Sequence, residues 1–138
     1  MICDALIAVP GVRFMIPASR FGFVYVPASI RRIASTFGTS RASKLLYLNQ
    51  ECVAEDLVAQ GAVHQIVEPD DLMDVASEMA AKAAVLAPLS VASMKEIVRE
   101  TPEQDRIEAL VRQCAFSDDV VEGLSAMREK RSPVFQGK

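Results

Sequence analysis

The stretch FMIPASRFG, residues 14–22, begins as a short apolar strand and runs into a proline. A strand end that turns sharply through proline and glycine into a helix is a common place for a ligand in mixed α/β folds. The positions after the proline, where an enzyme pocket would hold an ionisable group, are Ala18 and Ser19. The stretch therefore indicates a possible ligand site that lacks an obvious acid or base.

The segments before this stretch predict two strands. Residues 2–9, ICDALIAV, are apolar almost throughout and end at the turn signal Pro10-Gly11, which suits a strand covered on both faces. Residues 12–16 predict a second, shorter strand. A buried strand at residue 2 has no preceding segment to cover it, and an uncovered apolar edge promotes aggregation. We therefore expect the sequence to begin within a larger fold.

The segments after this stretch alternate helix and strand as far as residue 67. Apolar spacing predicts a helix with Ser29 as its N-cap and Gly38 as its stop, a second helix capped by Thr39, a short helix over residues 54–60 and a strand over residues 62–67. This alternation predicts an α/β fold.

The second half reads as helix followed by an extended tail. Helix starts are predicted at Asp70 or Asp71, at Pro88, at a capping box over residues 101–104 and at Ser117. Residues 132–135 predict the extended tail. The sequence thus divides into an α/β region, residues 1–67, and a helical region, residues 68–138.

Composition argues against several classes of protein. The chain carries 15 Lys and Arg against 18 Asp and Glu, a net charge of −3. It shows no basic face, so we expect no binding to duplex nucleic acid. No apolar run approaches the length of a membrane span, and no segment resembles a signal peptide. The three cysteines are far apart and outside any C-x-x-C spacing, so we expect reduced, buried thiols in a cytoplasmic protein.

Few residues suit catalysis or metal binding. His64 is the only histidine, and its ordinary strand pattern favours a structural role over a catalytic pair. One histidine and scattered cysteines cannot supply the usual ligands, so no metal site is expected. Glu122 and Glu129 lie seven residues apart on one predicted helix and are interpreted as a solvated face.

Aromatic residues gather around Gly22. The cluster contains Phe14, Phe21, Phe23 and Tyr25, of which the last three follow a period of two. One interpretation is core packing at a strand end. The other is the wall of a ligand pocket. The spacing alone does not separate the two.

Short motifs recur in a familiar order from one end of the chain to the other. They are CD at 3–4, RFMIP at 13–17, RFG at 20–22, FG at 37–38, AED at 54–56, GAV at 61–63, PLS at 88–90 and EKRSPVF at 129–135. In this order and spacing they resemble the crotonase superfamily, that is, the enoyl-CoA hydratases and isomerases. The resemblance covers the chain from residue 2 to its last residue.

The resemblance implies a fold of repeated β-β-α turns, followed by C-terminal helices that assemble trimers or pairs of trimers. It implies a CoA thioester as substrate or ligand, with no other cofactor. The family's oxyanion hole of two backbone N–H groups would precede residue 1, as would one glutamate of the hydratases. The second glutamate position is Ala18 here. We therefore expect the C-terminal half of a crotonase-fold protein, which alone is no competent hydratase.

The resemblance also implies two groups of binding residues, with no catalytic one among them. They are Ile16, Pro17, Ala18 and Tyr25 for the substrate, and Lys130 and Phe135 for CoA, often that of a neighbouring subunit. Other interpretations are helix-end charge for Lys130 and anchoring of the tail for Phe135.

Two alternatives to a truncated enzyme are open. One is a non-catalytic assembly module that docks on a full-length subunit of the same fold. The other is a separate chain that supplies the first half and restores the fold by complementation.

Overall fold

The computed structural model describes residues 3–138, which form two compact units. The first unit extends as far as Ala76 and contains strands and helices, and the second, Ser77–Lys138, is helical with an extended tail. The α/β class predicted from the sequence is confirmed. The division into residues 1–67 and 68–138, which follows the pattern of strands and helices, stays a prediction.

The first unit alternates short strands with helices. Its elements are β1 (Ile7–Ala8), β2 (Arg13–Phe14), a 3-10 turn (Ala18–Phe21), α1 (Pro27–Phe37), α2 (Thr39–Leu46), β3 (Cys52–Val53), α3 (Ala54–Val58), β4 (Gln65–Ile66) and a second 3-10 turn (Pro69–Asp71). Helix α4 (Leu72–Ala84) follows and continues into the second unit. The three predicted strands are shorter than expected, and β3 was not predicted; each strand pairs with only one other short strand among residues 3–138.

Two strand pairs bring distant segments of the first unit together. The registers are Ile7 opposite Gln65 and Ala8 opposite Ile66 in the parallel pair β1–β4, and Arg13 opposite Val53 and Phe14 opposite Cys52 in the antiparallel pair β2–β3. The second pair fixes Arg13 and Phe14, a few residues before the 3-10 turn at Ala18–Phe21. The turn is therefore anchored from its N-terminal side.

A small apolar core supports this anchor. Leu45, Leu57 and Val63 are the largest fully buried side chains of the chain. Phe14 and Ile16 are half-buried and pack against the same core. Full burial of one such aliphatic side chain stabilises a fold by about 1.5–3 kcal/mol, so this cluster contributes to holding β2 in place.

The second unit contains the remainder of α4 and the helices α5 (Pro88–Glu100), α6 (Gln104–Ala115) and α7 (Asp118–Glu129). The guanidinium of Arg106 on α6 donates to both carboxylate oxygens of Glu96 on α5, at 2.6 and 2.7 Å. Between residues 3 and 138 no single helix is long and apolar enough to cross a membrane. One sharply bent pair, Pro69–Ala84 with Pro88–Glu100, meets that test by length and composition only.

The predicted helix starts are partly wrong. Helix α1 begins at Pro27, and its N-cap is Val26 rather than Ser29, because proline is well suited to the first helical position. The capping box at residues 101–104 does not form. Thr101 instead adopts a left-handed conformation at the end of α5, and α6 begins at Gln104 without a side-chain cap.

The start of α7 follows the prediction. The Ser117 hydroxyl accepts a hydrogen bond from the Val120 N–H at 3.3 Å, as expected of an N-cap. Asp118 and Asp119 occupy the first turn, where acidic residues are favoured by the helix dipole.

Helix α7 carries polar groups inward and apolar groups outward. Its inner face consists of Asp119, Glu122, Gly123 and Ala126, which are buried or half-buried. Its outer face consists of the exposed residues Val120, Val121, Leu124 and Met127. A helix on the surface of a monomer normally shows the reverse pattern.

The inner face of α7 binds the C-terminal tail, residues 131–138. The two carboxylate oxygens of Glu122 accept hydrogen bonds from the Arg131 guanidinium at 2.5 and 2.8 Å. One of these oxygens also accepts from the Val134 N–H at 2.8 Å. Glu129 accepts from Arg131 as well, at 2.7 Å. Glu129 is exposed, as expected of a solvated face, whereas Glu122 is half-buried, and both bind the same arginine.

These bonds lower the pKa of Glu122 to about 2, first through the Arg131 side chain and then through the Val134 N–H. A depressed pKa in the folded state contributes stability that is present above the unfolded pKa and is lost as the pH falls. The unfolded value is 4.5. We therefore expect the free energy of unfolding to fall between about pH 4.5 and about pH 2, which urea titration at several pH values would measure.

The substitution Glu122→Gln isolates this contribution. The difference in free energy of unfolding between wild type and Glu122→Gln should shrink steadily as the pH falls from about 4.5 to about 2. Glu129→Gln is the matched control because Glu129 binds the same arginine without bonding a tail N–H. A pH-independent difference for Glu122→Gln would show that its carboxylate does not hold the tail in solution.

Candidate functional site

The 14–22 stretch turns where the sequence predicts. After the half-buried Ile16 and Pro17, the chain enters the 3-10 turn at Ala18. The Pro17 carbonyl accepts from the Arg20 N–H at 2.9 Å, and the Ala18 carbonyl accepts from the Phe23 N–H at 3.3 Å. Gly22 closes the turn with a φ of 73°, a left-handed conformation that favours glycine.

Ala18 lies at the buried start of this turn and is 5% exposed. Its methyl group has no proton to give or accept, and its carbonyl is occupied by the turn. Between residues 14 and 26 the ionisable side chains are Arg20 and Tyr25. The turn therefore carries no carboxylate between residues 14 and 26.

The aromatic cluster separates into two parts. Phe14 packs against Phe37 with ring centroids 6.5 Å apart, which confirms core packing for this residue. Phe21 and Phe23 stack at 6.4 Å, and Phe23 meets the Tyr25 ring edge-on at 5.6 Å. Core packing is wrong for Phe21 and Phe23, because they are 72% and 51% exposed.

We call Phe21, Phe23 and Tyr25 the aromatic ridge. Period-two spacing aligns its rings along one edge of the chain directly after the turn at Ala18. Of the predicted substrate residues, the structure places Ile16, Pro17 and Ala18 at the turn itself. Tyr25 is half-buried at the far end of the ridge. The role of the ridge as a pocket wall stays a prediction.

His64 is engaged in holding β1. The ring Nδ1 of His64 accepts a hydrogen bond from the Leu6 backbone N–H at 3.1 Å, and the His64 backbone N–H donates to the Leu6 carbonyl at 2.7 Å. This reciprocal pair supports the predicted structural role. Over residues 3–138 no group of three or more His, Cys, Asp or Glu side chains could hold a metal ion.

The prediction that all three cysteines are buried is wrong. Cys52 is buried, but Cys114 is half-buried and Cys3 is exposed. The cause is that the segment around Cys3 is not covered by a strand as predicted, since β1 begins only at Ile7.

The predicted CoA residues lie at and beyond the end of α7. Lys130 has a φ of 55°, and its N–H donates to Met127 while the Arg131 N–H donates to Ala126. These bonds form a Schellman motif, in which the left-handed position is usually glycine. A lysine there occupies a position that costs it backbone free energy.

Phe135 lies against α7 itself. A Cβ atom added at Gly123 would lie 3.5 Å from the Phe135 ring, an ordinary van der Waals contact. The ring is half-buried, and the tail on both sides of it is bonded to α7. The interpretation of Phe135 as an anchor of the tail is therefore supported, and its contact with CoA remains a prediction.

Sequence reasoning missed Asp119. This residue is 4% exposed, and its two carboxylate oxygens accept from the Gln136 and Gly137 N–H groups at 2.7 and 2.9 Å. The sequence places it correctly in the first turn of a helix. No local signal distinguishes a first-turn acid in solvent from one covered by a segment 17 residues later.

The chain is similar to a well-populated group of proteins. The sequence model of the enoyl-CoA hydratase/isomerase family matches residues 1–138. Carnitinyl-CoA dehydratases from Citrobacter koseri and Escherichia coli are each 28% identical over 148 aligned residues. The match covers 100% of this chain and 57% of each relative.

Solved structures give the same result. An enoyl-CoA hydratase from Mycobacterium marinum has a TM-score of 0.84 at 28% identity, over 98% of this chain and 56% of that one. An enoyl-CoA hydratase subunit from Geobacillus kaustophilus has a TM-score of 0.83 at 27% identity, over 99% of this chain and 55% of that one. The chain thus spans somewhat more than half the length of these relatives. Because the family match extends over the whole chain and the fold agrees, the chain belongs to the enoyl-CoA hydratase/isomerase family, the crotonase superfamily.

Proposed function

We propose that this chain contributes an acyl-CoA thioester site and does not by itself hydrate an enoyl-CoA. The observation that carries this proposal is Ala18, a buried methyl group at the ligand-side turn of a hydratase-family fold. Addition of water across a double bond needs a positioned acid and base. A turn without a carboxylate retains a surface for binding while it lacks that proton transfer.

The aromatic ridge is the proposed wall for the acyl group. Its rings are apolar and partly exposed, and they follow Ala18 directly. Contact with an acyl chain would remove their apolar surface from water, which favours binding by about 25 cal/mol for each Å² buried. The names of the relatives, enoyl-CoA hydratase and carnitinyl-CoA dehydratase, support an acyl-CoA as the ligand class.

The tail is the proposed CoA contact. Lys130 is exposed, and no ion pair of its ammonium group is present within residues 3–138. Glycine adopts this left-handed backbone conformation at a lower free-energy cost than lysine. Backbone strain of this kind points to a role for the side chain, and an ammonium group suits the phosphates of CoA.

Assembly of identical subunits is the second part of the proposal. The outer face of α7 is apolar and exposed, and further large apolar side chains on α5 and α6 are exposed as well: Met94, Val98, Val111 and Phe116. An apolar patch of this kind marks an interaction surface. We propose a homotrimer or hexamer in a cytoplasmic location, consistent with three cysteines that form no disulfide.

A non-catalytic assembly module is the alternative function. The inverted polarity of α7 favours it, because an apolar outer face serves docking regardless of any ligand. In that case the outer face would bind a full-length subunit of the same family. Ligand binding separates the two proposals, because a module of this kind needs no acyl-CoA.

The first prediction concerns binding without hydration. The purified chain should bind crotonyl-CoA more tightly than free CoA in calorimetry, and it should not hydrate crotonyl-CoA above background. Tyr25→Ala should reduce the preference for crotonyl-CoA by about tenfold, the effect of roughly 1.4 kcal/mol. Tyr47→Ala, an exposed tyrosine of the same unit, is the control. Efficient hydration by wild type, or equal loss in both variants, would contradict the proposal.

A second prediction separates the two interpretations of Lys130. Lys130→Gly should leave the fold as stable or make it about 1 kcal/mol more stable, because glycine adopts the left-handed position freely. The same change should weaken CoA binding about tenfold, as expected for one lost charge-assisted contact. Urea unfolding and calorimetry measure the two effects.

Lys44→Gln, which removes a positive charge from the end of α2, is the control for net charge. If Lys130 serves only the helix dipole, Lys130→Gly should retain full CoA affinity. That outcome would remove Lys130 from the proposed site.

The third prediction concerns assembly. The pair of changes Val121→Glu and Leu124→Glu should convert the assembled species to monomers in native mass spectrometry, because two charges would enter the proposed interface. The pair Gln50→Glu and Gln60→Glu adds the same two charges at exposed positions of the first unit and should leave the assembly intact. A wild-type chain that is monomeric at all tested concentrations would exclude self-assembly through this face.

A further inference from the structure

We infer that Asp119 and Glu122 are positioning residues for the CoA contact, because together they fix the tail that carries Phe135 and follows Lys130. The inference rests on the proposed role of the tail in CoA binding. It assigns a role to two acidic side chains of α7 that bond the backbone of the tail directly.

The two carboxylates act on successive parts of the tail. Glu122 bonds the Val134 N–H, and Asp119 bonds the N–H groups of Gln136 and Gly137. Phe135 lies between these bonded positions. Its backbone is therefore held on both sides, and the ring is directed onto α7 at Gly123.

Helical spacing places both carboxylates on the inner face. Residues three apart on a helix are neighbours, so Asp119 and Glu122 lie one above the other along α7. The two carboxylates therefore bond different parts of the tail, Glu122 the Val134 N–H and Asp119 the N–H groups of Gln136 and Gly137.

Arg131 completes the arrangement at the start of the tail. Its guanidinium binds Glu122 through two nitrogens and Glu129 through a third. It directly follows Lys130 in the chain. The Schellman motif, the Arg131 pair and the tail bonds therefore form one continuous set of constraints from residue 126 to residue 137.

The burial of Asp119 indicates that this set is a maintained feature. A carboxylate taken out of water is costly unless hydrogen bonds satisfy it. Both oxygens of Asp119 are satisfied by tail N–H groups, and the carboxylate lies in the first turn of α7, where the helix dipole favours a negative charge. If the tail left α7, these bonds would be lost.

A tail that is already docked on α7 loses less conformational entropy when CoA binds. A mobile tail would have to be ordered at the moment of binding, which weakens affinity. By thermodynamic reciprocity, a ligand that binds the docked tail must also favour docking. Bound CoA should therefore slow hydrogen exchange at the tail amides, an effect that a purely structural anchor would not produce.

The test compares Asp119→Asn and Glu122→Gln with Glu129→Gln in the full chain. All three remove one charge from α7, but Glu129 bonds only the Arg131 side chain. We expect exchange at the amides of Val134, Gln136 and Gly137 to accelerate about tenfold in the first two variants and little in the control, since each loses a charge-assisted bond. CoA affinity should fall in the same two variants by the factor by which the docked fraction of the tail decreases.

Saturating CoA should restore slow exchange in the tail of wild type and, in part, of both variants. Glu122→Gln provides the second measurement if Asp119→Asn fails to fold, because Glu122 is less buried. Faster tail exchange with unchanged CoA affinity would overturn the positioning role and leave the proposed function intact. Failure of the wild-type chain to bind CoA would overturn the proposed function and the positioning role together.

Discussion

The buried carboxylate of Asp119 determines the organisation of the helical unit. It accepts two N–H groups of the tail, so the face of α7 that carries it must point inward and the tail must lie along that face. The apolar residues Val121 and Leu124 are then directed outward. The burial of one carboxylate thus accompanies both the docked tail and the exposed apolar face of α7.

In the first unit, a small number of contacts holds the strand that precedes the turn of the 14–22 stretch. The pair β2–β3 and the core at Leu45 and Leu57 hold the strand that ends at Ile16. Proline and glycine then turn the chain tightly, and Ala18 is buried at the start of the turn. The turn is thus held in place, and its buried residue carries no carboxylate. At a ligand site, binding depends on shape, whereas proton transfer depends on a single ionisable side chain.

Much of the fold was predictable because it is encoded locally. Apart from β3, which was not predicted, the order of strands and helices in the first unit follows from apolar spacing and from the turn residues Pro27, Gly38 and Gly61. The Ser117 N-cap was predictable for the same reason. The capping box predicted at residues 101–104 does not form, because Thr101 adopts a left-handed conformation at the end of α5. The local sequence does not indicate this conformation. The predicted strand lengths were wrong because the pairing partner of each strand lies far away in the sequence.

The sequence by itself determined the family, the α/β class and the absence of a carboxylate at Ala18, because each depends on residue identity and order along the chain. Only the tertiary structure decided that the aromatic ridge is exposed while Phe14 is packed, that Lys130 occupies a left-handed position, and that Asp119 and Glu122 bind the tail. The physical reason is that exposure and hydrogen bonding depend on which distant segment covers a residue. Asp119 and its partner Gln136 are 17 residues apart, and no helical or strand period connects them.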